Sequence, residues 1–241
     1  MLTVRQRVSW LRHLATACLQ QHHQELTAIF QPLIRPSAVI VDVGAHAGQF
    51  AKLFSQMAPE GQVFAFEPSP YARSILERAL TWNRIQNVKV VPTGLSDAEG
   101  EATLSTPIKS RGGIGFGLAS LAGASGDRRT TTHSVPLQTL DGFAERSGVQ
   151  RVDFLKADVE GWEAHVLRGG KRTIEQHRPA LYLEVAEDAL ARAGSSPGDI
   201  WSELAPLGYE ALRAPDFEPV AAFTGTGDYL FVPARMGSGF R

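Results

Sequence analysis

"VIVDVGAHAGQF" (residues 39–50) reads as a strand that stops at an acid and then turns on glycines. Val39, Ile40, Val41 and Val43 are apolar and β-branched, the residues that suit a strand buried on both faces. Gly44 and Gly48 bracket Ala45, His46 and Ala47, and Phe50 and Leu53 open a helix. A strand, a glycine turn and a helix N-terminus in that order form a corner that presents backbone N–H groups to a ligand. A dinucleotide, a phosphate and something positively charged are the candidates.

Outward from this corner, strands and helices alternate from about Ser37, which argues for one α/β domain with a largely parallel sheet. "QVFAFEP" is the next strand. "SPYARSILERALTWN" follows as a helix, with Ser69 as N-cap and Pro70 in its first turn. "NVKVVPTGLSD" gives a third strand, "EATLST" a short extra one, "VDFLKAD" a fourth and "ALYLEV" a fifth. "SPGDIWSELAPLG" is a helix capped by Ser196, and "PVAAFTGTGDYLFVP" reads as a hairpin-like pair that finishes the sheet. The expected architecture is Rossmann-like: a mostly parallel central sheet over residues 37–241, with helices on both faces and an antiparallel C-terminal strand.

The bulk properties are those of an ordinary globular chain: 241 residues, 43% hydrophobic, 20% charged, net charge −1. Such a balance gives no electrostatic reason to expect nucleic acid as a partner. The single cysteine, Cys18, leaves no internal disulfide and no cysteine-cluster metal site, and suggests a reducing, cytoplasmic setting. In residues 1–36, Arg5, Arg7, Arg12 and His13 break up any signal-peptide core, and no window approaches the roughly 20 apolar residues of a membrane span. Val4, Val8, Leu11, Leu14 and Cys18 recur at helical spacing. That N-terminal helical segment packs on the core, forms a homo-oligomer contact or covers substrate. Residues 106–132 are rich in Gly, Ser and Thr, and a loop of that length is usually functional. Residues 107–131 are expected to form a mobile substrate loop, the alternative being an inert insertion.

Open parallel sheets bind ligands beyond the carboxyl ends of their strands. Each strand end here delivers an acid: Asp42 beside Gly44, Glu67 before Pro68, Asp97 after Ser96, then Asp158 and Glu184. A pyrophosphate is unsuited to that rim, and neither G-x-G-x-x-G nor G-x-x-x-x-G-K-[ST] is present. A nicotinamide-dependent oxidoreductase is disfavoured for the same reason. S-adenosylmethionine suits the acids, because it combines a sulfonium, an ammonium, a ribose diol and an adenine. Glu67, about 23 residues after Gly44, is placed to accept both ribose hydroxyls. Asp97 is a candidate for the adenine amino group, and Asp42 for ordering the turn and the methionine ammonium. The competing roles are a helix-start acid for Glu67, a turn residue for Asp97 and a space-filler for His46.

The stretches "VDVGAHAGQF", "FAFEPSP", "VVPTGLSDAEGEATL", "VPLQTLDGF", "VDFLKADVEGWEAHVLRGG" and "RPALYLEV" together resemble the FkbM-type methyltransferases. They stand in that family's order over roughly residues 39 to 186, and "LASL" at 118–121 also looks like a family motif. The run Lys156, Asp158, Glu160, Gly161, Glu163, Val166, Leu167, Gly170 is the most specific part. The resemblance implies the class I methyltransferase fold and O-methylation of a hydroxyl on a small molecule, secondary metabolite or glycan. A catalytically silent, cofactor-binding partner subunit is the alternative, and the intact set of acids argues against it.

Methyl transfer to a hydroxyl gains from placement and from a group that takes the proton. Asp158 and Glu184, at the ends of neighbouring strands, are the candidates, with Glu160 two residues on. They either act on the hydroxyl directly or hold a divalent metal such as Mg²⁺. His133 is a third-choice base. The [DN]-P-P-[FYW] signature of amine methylation on nucleobases is replaced by "DVEG".

Overall fold

A computed structural model describes residues 4–107 and 130–234 of the chain. From the N-terminus, α1 (Val4–Leu19) and the short α2 (Thr27–Phe30) precede β1 (Val39–Val43), α3 (Gln49–Met57) and β2 (Gln62–Phe66). Next come α4 (Pro70–Trp82), β3 (Val88–Val91), β4 (Gly94–Leu95), β5 (Gly100–Pro107) and β6 (Thr130–Gln138). The chain continues with α5 (Leu140–Ser147), β7 (Phe154–Ala157), α6 (Glu163–Gly169), α7 (Lys171–His177) and β8 (Ala180–Val185). It closes with α8 (Glu187–Arg192), α9 (Pro197–Leu204), β9 (Tyr209–Arg213), β10 (Glu218–Val220) and β11 (Gly227–Pro233).

The main sheet runs β10-β9-β11-β8-β7-β1-β2-β3. Its five strands from β3 to β8 are parallel, and β11 enters antiparallel between β8 and β9. This is the expected class I arrangement. Alternation along the strands divides the core. Val41, Val43, Phe64, Phe66 and Leu155 face one layer of helices, whereas Ile40, Val63, Phe154 and Tyr182 face α2 and α3 on the other side. The expected caps form: Ser69 Oγ accepts from the Ala72 amide, and Ser196 with Asp199 builds a reciprocal capping box.

Several sequence expectations change. "NVKVVPTGL" is two strands, β3 in the main sheet and β4 in a second sheet with β5 and β6. The ends of the 106–132 segment continue the β5–β6 ladder, with Thr106 opposite Thr131. The rest of the expected substrate loop, and "LASL", lie outside the described residues. β10 does not pair with β11. It borders β9, because "YEALR" supplies a strand that alternation in so short a polar run did not reveal. On α1, Leu14, Ala17 and Cys18 pack with Trp10 against α4, while Val4, Val8 and Leu11 stay exposed. The apolar spacing was wider than the face that is buried. Among the described residues no helix is long and apolar enough to cross a membrane.

The N-terminal segment shares the main core through Leu26, Phe30 and Ile34. Phe30 is fully buried, with its ring 5.0 Å from those of Phe154 and Tyr182. Phe30→Ala should lower unfolding stability by about 3–5 kcal/mol, the usual cost of emptying an aromatic core site. Denaturant unfolding followed by fluorescence and by circular dichroism should give one shared transition; separate transitions would show that the segment folds apart from the sheet.

Candidate active site

A cavity of about 280 Å³ opens beyond the carboxyl ends of β1, β2 and β7. The glycine turn forms one side. Gly44 and Gly48 adopt φ of 73° and 87°, and a Cβ at Gly44 would run into the Asp158 carbonyl. Only glycine lets the two strand ends approach so closely.

The turn does not offer its amides outward as its sequence suggested. The Gly44 and Ala45 amides both donate to the Phe66 carbonyl at 3.0 Å, and the Gly48 amide to the Ala45 carbonyl at 2.8 Å. The His46 amide donates to Glu67 Oε2 at 2.8 Å, and the Ser69 amide to Glu67 Oε1 at 2.7 Å. With four of its amides engaged, this corner makes a poor phosphate cradle. Glu67 faces the cavity beside Pro68, and each of its oxygens keeps a lone pair for a further donor. Burial pushes its carboxyl up to about 7, against the two amide bonds that favour the charge.

Beneath the turn lies Lys156, a buried lysine. Its Nζ donates to the Gly44 carbonyl at 3.0 Å and the Val43 carbonyl at 3.3 Å. It also lies 3.5 Å from Asp42 Oδ1 and 3.7 Å from Asp158 Oδ2. The register explains this: Lys156 sits opposite Asp42 on β1 and Tyr182 on β8. Strand alternation then puts Lys156 with Asp158, and Tyr182 with Glu184, on the same face. Burial would lower the Lys156 ammonium, but Asp158 and Asp42 raise it above its ordinary value.

Asp158 and Glu184 are brought together, as expected for adjacent parallel strands. Burial works to raise the Asp158 carboxyl, yet the Lys156 ammonium and a hydrogen bond from Glu184 hold it below the usual range. Burial and the Asp158 charge push Glu184 up to about 8. The surroundings thus favour the charged form of Asp158 and the protonated form of Glu184. Glu160 lines the cavity with a left-handed backbone, φ 55°, and its carboxyl is raised by burial and by Asp158. Among the described residues no group of three or more His, Cys, Asp or Glu side chains could hold a metal ion.

Gly48 and Glu184 adjoin lining residues without lining the cavity themselves, and other expected residues are also absent from its wall. Asp42 is wholly buried behind the cavity against Lys156, and burial raises its carboxyl. Asp97 turns outward to His165, 3.0 Å from Nδ1. Ser96 Oγ accepts from Trp162 Nε1 at 3.0 Å and donates to Asp97. These two residues back the cavity wall, of which Trp162 is part, instead of lining it. His133 is exposed on β6 and does not line the cavity, although its cross-strand partner Leu104 does.

Lys156, Trp162, Phe50, His22 and His23 all line the cavity, and none of them was among the expected site residues. A lysine in an otherwise apolar strand, two residues before an acid, was the available signal for Lys156. For "QHHQE" there was none, since such a run reads as solvated.

Glu163 fixes the loop after β7. Its Oε1 accepts from the Val159 amide at 2.9 Å and the Gly161 amide at 3.4 Å, while Oε2 has no hydrogen-bond partner. Burial pushes its carboxyl up to about 7. A carboxyl raised on folding contributes stability that is fully present below its unfolded pKa and is lost as pH rises through about 7. Glu163→Gln keeps the accepting oxygen and cannot ionise. The melting temperature of the variant relative to the unsubstituted protein should therefore rise between pH 5 and pH 8; a difference independent of pH would remove the buried-charge explanation.

The family model described as the methyltransferase FkbM domain matches residues 42–211. The chain is 28% identical over 189 residues to the 2-O-methyltransferase NoeI of Sinorhizobium fredii, covering 73% of this chain and 72% of that protein. It is 29% identical over 198 residues to the methyltransferase sdnD of Sordaria araneosa, covering 72% and 74%. Among solved structures, the methyltransferase FkbM from Methylobacillus flagellatus superposes with TM-score 0.53 at 14% identity, over 92% of this chain and 58% of that one. SMU.1697c from Streptococcus mutans, solved in complex with SAH, gives 0.51 at 13% identity, over 88% and 97%. These two likenesses speak for the fold alone. The family model covers the whole span from Asp42 past Glu184, and the chain belongs to the FkbM family of S-adenosylmethionine-dependent methyltransferases.

Proposed function

We propose that this protein transfers the methyl group of S-adenosylmethionine to a hydroxyl oxygen of a small molecule, secondary metabolite or glycan. The observation that carries the reading is the Asp158–Glu184 pair: two carboxyls joined by a hydrogen bond at the ends of adjacent strands, with Asp158 lining the cavity. The name of the NoeI relative, a 2-O-methyltransferase, supports the same chemistry.

The donor set suits S-adenosylmethionine. Glu67 has a free lone pair on each oxygen for the ribose diol, Leu95 and Leu104 supply apolar wall for an adenine, and the rim is acidic where a cationic ligand would lie. When bound, that molecule supplies a methyl group already activated by its sulfonium. The protein's own part is to orient and to accept a proton. Charged Asp158 accepts a hydrogen bond from the incoming hydroxyl, and Lys156 holds that carboxylate in place from behind. Protonated Glu184 already donates to Asp158, so a second proton is poorly accommodated until Glu184 has ionised. Phe50 and Trp162 keep the reacting groups away from bulk water.

Methyl-labelled S-adenosylmethionine, incubated with hydroxylated metabolites and glycosides, should yield a labelled ether that survives mild alkali. Label recovered only in an alkali-labile ester, or on nitrogen, would refute transfer to hydroxyl. Glu67→Ala should weaken S-adenosylhomocysteine binding by about 1.5–3 kcal/mol, as for hydrogen bonds to a charged group. Unchanged affinity by calorimetry would take Glu67 out of the ribose site.

With the acceptor so found, Asp158→Asn should lower turnover by about 10²–10⁴-fold, with little change in cofactor affinity. Turnover of the unsubstituted protein should rise as pH passes through about 8, where Glu184 ionises, and Glu184→Gln should flatten that rise. A chelator should leave turnover unchanged; loss restored by Mg²⁺ would reassign the carboxylates to holding a metal.

A further inference from the structure

One wall of the cavity comes from outside the sheet. The turn between α1 and α2 places His22 and His23 on the same cavity as Asp158 and Glu160. This turn is anchored from several directions. The buried Lys52 ammonium of α3 donates to the Ala17 carbonyl at 2.6 Å and the Gln20 carbonyl at 2.7 Å, holding the end of α1. Gln21 Nε2 donates to the Gln49 carbonyl at 3.0 Å, and Gln49 Oε1 accepts from the His22 amide at 3.2 Å. His23 itself has a left-handed backbone, φ 64°, which aims its side chain back across α3.

The His23 ring lies flat on Phe50, with centroids 4.2 Å apart and planes 13° apart. Phe50 in turn lies 6.0 Å from the Tyr182 ring on β8, and Lys156 Nζ is 5.1 Å from its centroid. Through Phe50, the imidazole is therefore held on the side of β7 and β8, the strands of Asp158 and Glu184. On the proposed function, that is the end of the cavity that the acceptor approaches. Nδ1 lies 3.9 Å from Glu25 Oε1, and no described residue makes a hydrogen bond with Nε2. Burial holds the ring below the ordinary histidine value, so the neutral imidazole has a lone pair to offer.

We propose that His23 is an acceptor-binding residue: its Nε2 accepts a hydrogen bond from the substrate at the acceptor end of the cavity, opposite Asp158. The proposal rests on the methyltransferase reading above. It makes the N-terminal segment part of the substrate site, so that acceptor choice depends on a turn outside the sheet.

The test needs no acceptor. Sinefungin keeps the nucleoside and amino-acid ends of S-adenosylmethionine but carries an amine in place of the methylsulfonium, so its N–H groups project towards the acceptor. S-adenosylhomocysteine has nothing there. Both are titrated calorimetrically into the unsubstituted protein, into His23→Gly, which retains the left-handed backbone, and into His23→Asn, which tolerates it. The ratio of sinefungin to S-adenosylhomocysteine affinity should fall about tenfold in His23→Gly, the effect of one hydrogen bond to a charged group. It should fall in His23→Asn as well, while S-adenosylhomocysteine affinity stays within about twofold. An unchanged ratio in both folded variants overturns the proposal, and so does an equal loss for both ligands, which would place His23 at the cofactor end. Failure of either compound to bind the unsubstituted protein would instead bring down the cofactor reading, and this proposal with it.

Discussion

The ammonium of Lys156 joins the parts of this site that would otherwise fall apart. It is withdrawn from water at a cost of several kcal/mol, which only close and well-directed partners can offset. The partners are the carbonyls of Val43, the last residue of β1, and Gly44, and the carboxyl groups of Asp42 and Asp158. One cation thus ties the glycine turn, the strand beneath it and the acid of the neighbouring strand into a single unit. Its position follows from register, since Lys156 and Asp42 face each other across the β1–β7 ladder. The same charge favours the ionised form of Asp158, while Glu184, one strand further, is pushed towards its protonated form. Two chemically similar carboxyls acquire different states because only one of them lies against the ammonium.

The glycine corner shows how a shared strand–turn–helix geometry can serve opposite ligand charges. In dinucleotide folds the amides of such a turn point at a pyrophosphate. Here they are drawn inward by the Phe66 carbonyl and by Glu67. What remains facing the cavity is acidic. Glu67 has a double position in this: it holds the His46 and Ser69 amides, so the carboxylate facing the cavity also fixes the turn and the start of α4. Ligand binding and the shape of the corner are therefore coupled through one side chain.

The N-terminal residues are bound to the site by packing and by polar contacts of different kinds. Phe30 and Ile34 enter the core below the sheet, while Lys52 and Asn83 hold the end of α1 through its carbonyls. A helix end has carbonyls without intrahelical partners, and a lysine ammonium is a natural partner for them. The result is a turn anchored from several sides against the cavity. The exposed Val4, Val8 and Leu11 play no part in it.

Local chemistry made much of the fold legible in the sequence. β-Branched runs ending in acids, the Ser69–Pro70 and Ser196–Pro197 helix starts, and the glycines of the first turn each act within a few residues. They were enough to fix the parallel strands β1, β2, β7 and β8 and the strand ends at which Glu67, Asp158 and Glu184 stand. Tertiary structure decided what depends on cross-strand register and on distant packing. Lys156 could be known as the centre of the site only once β7 was set beside β1. Asp97 and Asp42 had the right spacing along the chain, but one was claimed by His165 and the other by the core. β9 was too short and polar to declare itself, and it exists because β11 offers it a ladder. His23 reached the cavity through a left-handed turn, a stacked Phe50 and a lysine on another helix, contacts spread over more than 25 residues of chain that no local pattern encodes.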